Sequence, residues 1–281
     1  MKKVISILLI LTILATMLVA CGKKDADSGK VKIINIKLTE EEYAFGVDKN
    51  QPELLEQTNA FIAQILSDGT FEAICNKYFS NGEPTAVTSA ELDESKDQLV
   101  VATNAMFAPF EYAEGNQFYG IDMEIAAALA EYLGKELVIV DMDFDAVCLS
   151  VGQGKCDIAM AGLTISEDRK EHVTFTDPYY QASQMLVVKE NDNTFDACTT
   201  AADVEAILNG FDAATKIGVQ SGTTGQYYLE GDEDWGFAGF AVTCSGYNSG
   251  ALAVQDMLNG NVNYVLIDEA PASFIAEAYN N

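Results

Sequence analysis

From residue 31 to residue 79 the apolar positions form two β-type runs and then two helical stripes. "VKIINIKL" (31–38) and "YAFGV" (43–47) are rich in β-branched and aromatic residues and predict strands. "PELLEQTNAFIAQIL" (52–66) sets Leu55, Phe61, Ile62, Ile65 and Leu66 along one helical stripe, with Pro52 suited to a first turn. "SDGTFEAICNKYF" (67–79) opens on a turn and spaces Phe71, Ile74, Cys75 and Tyr78 as a second, shorter helix. It reads like the closing helix of a domain, although most of the chain follows it. Residues 80–98 hold few large apolar side chains and predict a surface linker.

Beyond the linker the pattern alternates strand and helix. Strands are predicted at 99–103, 136–142, 156–162 and 185–191, with helices over 120–134 (stopped by Gly134) and 144–154. A second series has a helix at 202–209, strand 216–220, a helix after "SGTTG", strand 240–244, helix 249–260, strand 263–267 and helix 270–279. Strands separated by helices of these lengths imply βαβ units and parallel sheets, and two such series imply two α/β lobes. Open α/β sheets place ligands beyond the carboxyl ends of their strands. Those positions hold Asn104–Phe107, Phe144 and Gly162–Arg169 in the first series, and Ser221–Gly225 and Asp268 in the second.

Charge narrows the partners. The net charge of −27 repels phosphate backbones and anionic headgroups, which argues against nucleic-acid binding. Hydrophobic residues make up 49% of the chain, enough for folded cores. At the N-terminus, Lys2 and Lys3 precede an unbroken apolar run, Val4–Ala20, as in a secretory signal. "LVAC" (18–21) resembles a bacterial lipobox, which implies cleavage before Cys21 and lipidation of its thiol; a spanning helix is the competing reading. Residues 22–30 read as a tether. Five cysteines then remain, so at least one is unpaired within the chain; bridges Cys148–Cys156 and Cys198–Cys244 compete with five small buried apolar residues. His172 is the sole histidine, leaving little material for metal clusters or Cys–His and Ser–His chemistry. "DMDFDA" (141–146) lacks the later positions of a calcium loop, and "SGTTGQ" lacks the Lys–Ser/Thr of a P-loop. Trp235, in the acidic "GDEDWGF" loop, reads as a surface anchor.

The stretches "NAMFAPFEY" (104–112), "GIDMEIAAALAEYLG" (120–134), "GKCDIAMAGLTISEDRKEHVTFTDPYY" (154–180), "KIGVQSGTTG" (216–225) and "NYVLIDEAP" (263–271) resemble the family 3 extracellular solute-binding proteins of polar amino acid ABC transporters. The resemblance implies a two-lobed α/β, type II periplasmic-binding fold, each lobe a mainly parallel sheet flanked by helices. In that family a segment like 41–79 comes last; here it comes first, so the chain resembles a circular permutant. The expected organisation is signal peptide 1–20, tether 21–30, first lobe 46–188 with linker 80–98, and second lobe 31–45 plus 189–281. Strand 31–38 is then expected to pair within the second lobe.

The same resemblance assigns the cleft. Arg169 takes the ligand carboxylate, since its planar fork matches two oxygens, with the backbone around Thr164 and the N–H groups of Thr223 and Thr224 completing that shell. Composition alone favours a surface Arg169 paired with the acids of "SEDRKE". Asp268 takes the ammonium, helped by the Gly162 carbonyl and the Thr164 hydroxyl. Phe107 and Phe144 sandwich the carbon chain, and Phe110 is core. Asn104 stands where many relatives that bind cationic or amide side chains carry Asp, and Gln220 faces the ligand side chain; both favour a neutral polar amino acid. The expected protein is a monomeric, lipid-anchored binding protein on the outer face of the cytoplasmic membrane. It delivers an L-amino acid to an ABC permease and uses no cofactor, metal or catalytic residue. The alternatives are a sensor module for a separate receptor and an enzyme like the cyclic-acid dehydratases of this fold.

Overall fold

A computed structural model describes residues 29–80 and 82–281. The signal run, Cys21 and most of the tether lie outside the described residues. In chain order the elements begin β1 (Val31–Ile34), β2 (Glu41–Tyr43), β3 (Gly46–Asp48), α1 (Pro52–Asp68) and α2 (Thr70–Phe79). Then come β4 (Gln98–Thr103), β5 (Met106–Phe107), β6 (Glu111–Glu114), β7 (Gln117–Tyr119), α3 (Ile121–Leu133), β8 (Glu136–Asp141) and α4 (Phe144–Gly152). The middle of the chain holds β9 (Ile158–Ala159), α5 (Glu167–Lys170), β10 (Val173–Phe175), β11 (Tyr180–Ala182) and β12 (Gln184–Lys189). It closes with α6 (Ala201–Leu208), β13 (Lys216–Gln220), α7 (Thr224–Glu230), β14 (Thr243–Tyr247), α8 (Gly250–Leu258), β15 (Tyr264–Asp268) and α9 (Glu269–Asn280).

Two five-stranded sheets carry the two lobes, ordered β10-β3-β9-β4-β8 and β1-β12-β15-β13-β14. Each has a parallel trio, β9-β4-β8 in one and β15-β13-β14 in the other, extended by one opposed strand, β3 or β12, and then by a strand running with the trio, β10 or β1. The sheets are therefore more mixed than βαβ alternation alone implies. The opposed strands, β3 and β12, lie in the segments that cross between the lobes.

The N-terminal segment divides between the lobes. β1 pairs with β12, Val31 opposite Lys189, inside the second-lobe sheet, while β3 lies between β10 and β9 in the first. Between them β2 pairs with β11 as a two-stranded ribbon. The crossing therefore lies at β2 and β11. The expected lobe boundary at 188 falls inside β12, whose residues pair with β1 and β15 of the second lobe. Only 31–34 of the expected strand 31–38 pairs as strand. The expected strand 240–244 lies at 243–247, because Phe240 and Val242 pack on the second-lobe core as loop residues.

The closing-type helix α2 docks onto α3 through a buried carboxylate. Glu124 accepts from the Tyr78 hydroxyl at 2.7 Å and the Thr85 backbone N–H at 3.0 Å, and pairs with Lys77. The linker is held along the first lobe: Val87 and Phe118 exchange backbone hydrogen bonds at 2.8 and 2.9 Å, and Ala90 donates to Leu137. Cys75, Cys148, Cys156, Cys198 and Cys244 are all free thiols, so neither candidate bridge forms.

Candidate functional site

The carboxyl ends of both sheets face one another across a cavity of about 230 Å³ of empty space, counting its mouth. Its wall is built by Phe107, Phe144, Gly162, Thr164 and Arg169 of the first lobe and Thr223, Thr224 and Asp268 of the second. Every one of these eight was expected from the strand-end rule and the resemblance. The two remaining candidates, Asn104 and Gln220, lie outside that wall. They are buried and meet each other across the cleft, the Gln220 side-chain amide donating to Asn104 Oδ1 at 3.1 Å. Asn104 also donates to the Met142 carbonyl at 2.8 Å, so its side chain is anchored on its own lobe.

Arg169 is only 7% exposed. Its short helix α5 is capped by Ser166, and its guanidinium donates to the Thr164 carbonyl at 2.7 Å and the Gly222 carbonyl at 3.0 Å. The first bond fixes the fork on its own lobe; the second reaches the other lobe. Among the described residues Arg169 has no carboxylate partner, whereas its neighbour Lys170 pairs with Glu167. The surface reading of "SEDRKE" thus suits Lys170. The Thr164 carbonyl is an acceptor that orients Arg169, so it adds no donor for an anion. The Phe144 ring lies 5.2 Å from the guanidinium carbon.

Asp268, 4% exposed, ends the apolar strand β15 and accepts from the Tyr43 hydroxyl at 2.5 Å. Burial, with the Glu41 carboxylate nearby, pushes its carboxyl above the usual range, against the pull of the Tyr43 hydrogen bond. Among the described residues it has no cationic partner. The Thr164 hydroxyl donates to Glu41 at 2.7 Å and receives from Thr224 at 3.4 Å, tying the hinge ribbon to both lobes. Glu41 also accepts from Thr39 at 2.5 Å and from Gln184 at 3.1 Å.

Two further carboxyls lie behind the wall. Asp122 accepts from Tyr179 at 2.6 Å and from the Gly162 N–H at 2.9 Å, and burial raises it to about 7. Glu111 is fully buried with neither oxygen partnered among the described residues; burial raises it well above the usual carboxylate range, helped by Asp122 and Asp268. Gly162 itself is constrained: φ is +54°, and a Cβ there would meet the Phe107 ring at 3.0 Å. Phe107 stacks on Phe110, which is core as expected.

Sequence reasoning missed Glu41, Tyr43 and Trp235. The buried–exposed–buried alternation of Glu41, Glu42 and Tyr43 puts an acid on the inner face, the reverse of what polarity alone suggests. Trp235 has its ring 6.0 Å from the Arg169 guanidinium carbon, from the opposite lobe; nothing local in "GDEDWGF" points to that meeting.

A two-lobed α/β protein with a cavity between its lobes, lined by both charged and aromatic side chains, defines the class of two-lobed binding proteins. Comparison with known proteins supplies the family. The profile of the bacterial extracellular solute-binding proteins, family 3, matches residues 99–259, more than half of the chain, and the chain belongs to that family. It is 37% identical over 99 residues to the arginine-binding extracellular protein ArtP of Bacillus subtilis, covering 35% of this chain and 39% of that one. It is 29% identical over 178 residues to the histidine-binding periplasmic protein of Salmonella typhimurium, covering 63% of this chain and 62% of that one. These matches span less than two thirds of either relative. The crystal structure of the ancestral amino acid-binding protein AncCDT-1, a precursor of cyclohexadienyl dehydratase, superposes with a TM-score of 0.55 at 30% identity, covering 64% of this chain and 74% of that chain. Among the described residues no helix is long and apolar enough to cross a membrane.

Proposed function

We propose that the chain captures a free L-amino acid between its lobes and delivers it to the membrane permease of an ABC importer. One observation carries this reading: a buried guanidinium and a buried carboxylate, neither ion-paired among the described residues, line the same cavity from opposite lobes. An uncompensated buried charge costs several kcal/mol, roughly, so the arrangement favours a ligand that brings both opposite charges at once. An α-amino acid does so. Arg169 receives the carboxylate, with Thr223 and Thr224 N–H groups beside it. Asp268 receives the ammonium, with the Thr164 hydroxyl and the Gly162 carbonyl near. Phe107 and Phe144 flank the carbon chain.

At the side-chain end Asn104 and Gln220 meet as a neutral amide pair. This supports a neutral polar amino acid, in contrast to the arginine and histidine of the two relatives' names. Cys21 carries the lipid that tethers a monomer to the outer face of the membrane. The element order is a circular permutation of the family's: β1 to α2 precede β4, yet β1 joins the second-lobe sheet and β3 the first.

Isothermal titration with the twenty amino acids tests the assignment. A neutral polar member is expected to bind, and Arg169→Ala to weaken it about 100-fold or more, because a buried charge loses its partner. No heat from any of the twenty, or an unchanged affinity in Arg169→Ala, contradicts it.

The dehydratase precursor among the structural neighbours gives the enzyme alternative its one specific support, together with the raised Asp268 carboxyl. An acid–base pair requires a second group within reach of the same substrate proton. The Tyr43 hydroxyl beside Asp268 is already donated to it.

A further inference from the structure

We propose that Trp235, the sole tryptophan of the chain, is the closing contact of the cleft: its indole covers the Arg169 guanidinium from the opposite lobe and sets how slowly a bound carboxylate ligand leaves. The inference rests on the reading of Arg169 as the carboxylate anchor.

The guanidinium lies between two aromatic rings of different lobes. Phe144 is 5.2 Å away on the first lobe and Trp235 6.0 Å away on the second. A cation within about 6 Å of an aromatic centroid is attracted by the ring's quadrupole, and indole is the strongest of the three rings. The Phe144 contact exists within one lobe, so it survives opening. The Trp235 contact joins the lobes and must break when they part.

The indole is held ready for this role by its own lobe. Asp232 and Phe237 exchange backbone hydrogen bonds at 2.9 Å, closing a tight loop, and the Asp232 carboxylate accepts from the Trp235 N–H of the backbone at 3.1 Å. Gly236, with φ of +72°, makes the turn possible. Within that loop the indole stacks with Tyr227 at 5.5 Å and with Phe237 at 6.0 Å, with interplanar angles of 20° and 21°. A ring already held by two aromatic neighbours loses little freedom when it meets the cation. Arg169 also donates to Gly222 of the same lobe at 3.0 Å, so a hydrogen bond and a π-face act together on one guanidinium. Trp235 itself is not part of the cavity wall, so its effect falls on closure and not on ligand recognition.

The test combines calorimetry with release kinetics, using whichever of the twenty amino acids titrates in wild type, in tritiated form. Trp235→Ala is expected to release it about 3- to 30-fold faster, the span of a cation–π contact from exposed to desolvated, with the association rate within twofold. Trp235→Phe should fall between the two, and the wild-type tryptophan emission should shift on binding. Binding by calorimetry together with a Trp235→Ala release rate within twofold of wild type overturns the proposal while leaving the amino acid reading intact. If none of the twenty amino acids titrates, that reading fails and this proposal with it. Thermal melts of both variants separate a closure effect from loss of the second-lobe fold: equal melting in the absence of ligand with faster release supports the proposal. Faster release that merely tracks a lowered melting temperature overturns it.

Discussion

Individual residues decide the electrostatics of the cleft. Asp268 is buried beside Glu41, and both the burial and the nearby carboxylate favour its protonated form. Its carboxyl is therefore raised above its unfolded value, and the free protein holds that proton to higher pH than an exposed aspartate does. A ligand ammonium requires the ionised form, so binding below the raised value must expel a proton. Affinity is then expected to be flat above that value and to fall by up to about tenfold per pH unit below it. Titration calorimetry across pH checks this, and Asp268→Asn should weaken binding and remove the dependence. A pH-independent affinity in wild type contradicts the ammonium assignment.

The residue scale also shows what the sequence could and could not disclose. Asp268 was legible at the end of an apolar strand, whereas Arg169, ten residues past β9, was placed at the cleft only by the resemblance of its stretch to the family. The partnership of Asn104 with Gln220 was not legible, since it joins residues 116 apart that meet only when two lobes face each other. Both were expected to point at a ligand; the structure shows them hydrogen-bonded to one another.

At the scale of elements, strand and helix positions followed periodicity closely where elements were long. Helix 121–133 is bounded by glycines as its pattern suggested, and Gly134 adopts the left-handed cap conformation. The β5–β6–β7 meander and the β2–β11 ribbon, of two to four residues per strand, carry too few positions to show alternation. The loop before α7 makes the sharpest prediction here. Gly222 has φ of +72°, and a Cβ there would sit 1.8 Å from the Asp145 carboxylate of the other lobe. Gly222→Ala thus obstructs closure while leaving every wall residue in place. Ligand affinity should fall, since the added methyl displaces the Asp145 side chain only in the closed form, whereas the strain of the positive φ burdens open and closed forms alike. Binding equal to wild type by calorimetry would contradict the packing of the Asp145 carboxylate against Gly222 in the closed form.

For the whole molecule, connectivity is the distinguishing feature. The family profile stops at residue 259, and the matched relatives align over about three fifths of the chain or less. The permuted order proposed above would leave the segment carrying β1 to α2 outside a colinear match. The fold supports the rearrangement physically. Asn280 at the end of α9 accepts from the Val31 N–H at 3.1 Å and donates to the Val31 carbonyl at 2.8 Å. On that proposal, joining 281 to 30 through a short linker and opening the chain within 80–98 would restore the family's order. That relinked protein is expected to fold with a melting temperature within about 5 °C of the original, the shift that ~1 kcal/mol produces, and with the same ligand affinity. A relinked chain that fails to fold or to bind contradicts the permutation.

The central claim is that one cavity satisfies both charges of a zwitterion. Calorimetry on the bound amino acid against two blocked forms, its N-acetyl derivative and its carboxamide, tests this most directly. Each block should cost about 100-fold or more in affinity, because it leaves Asp268 or Arg169 buried and unpaired. Undiminished binding of either blocked form would contradict the account.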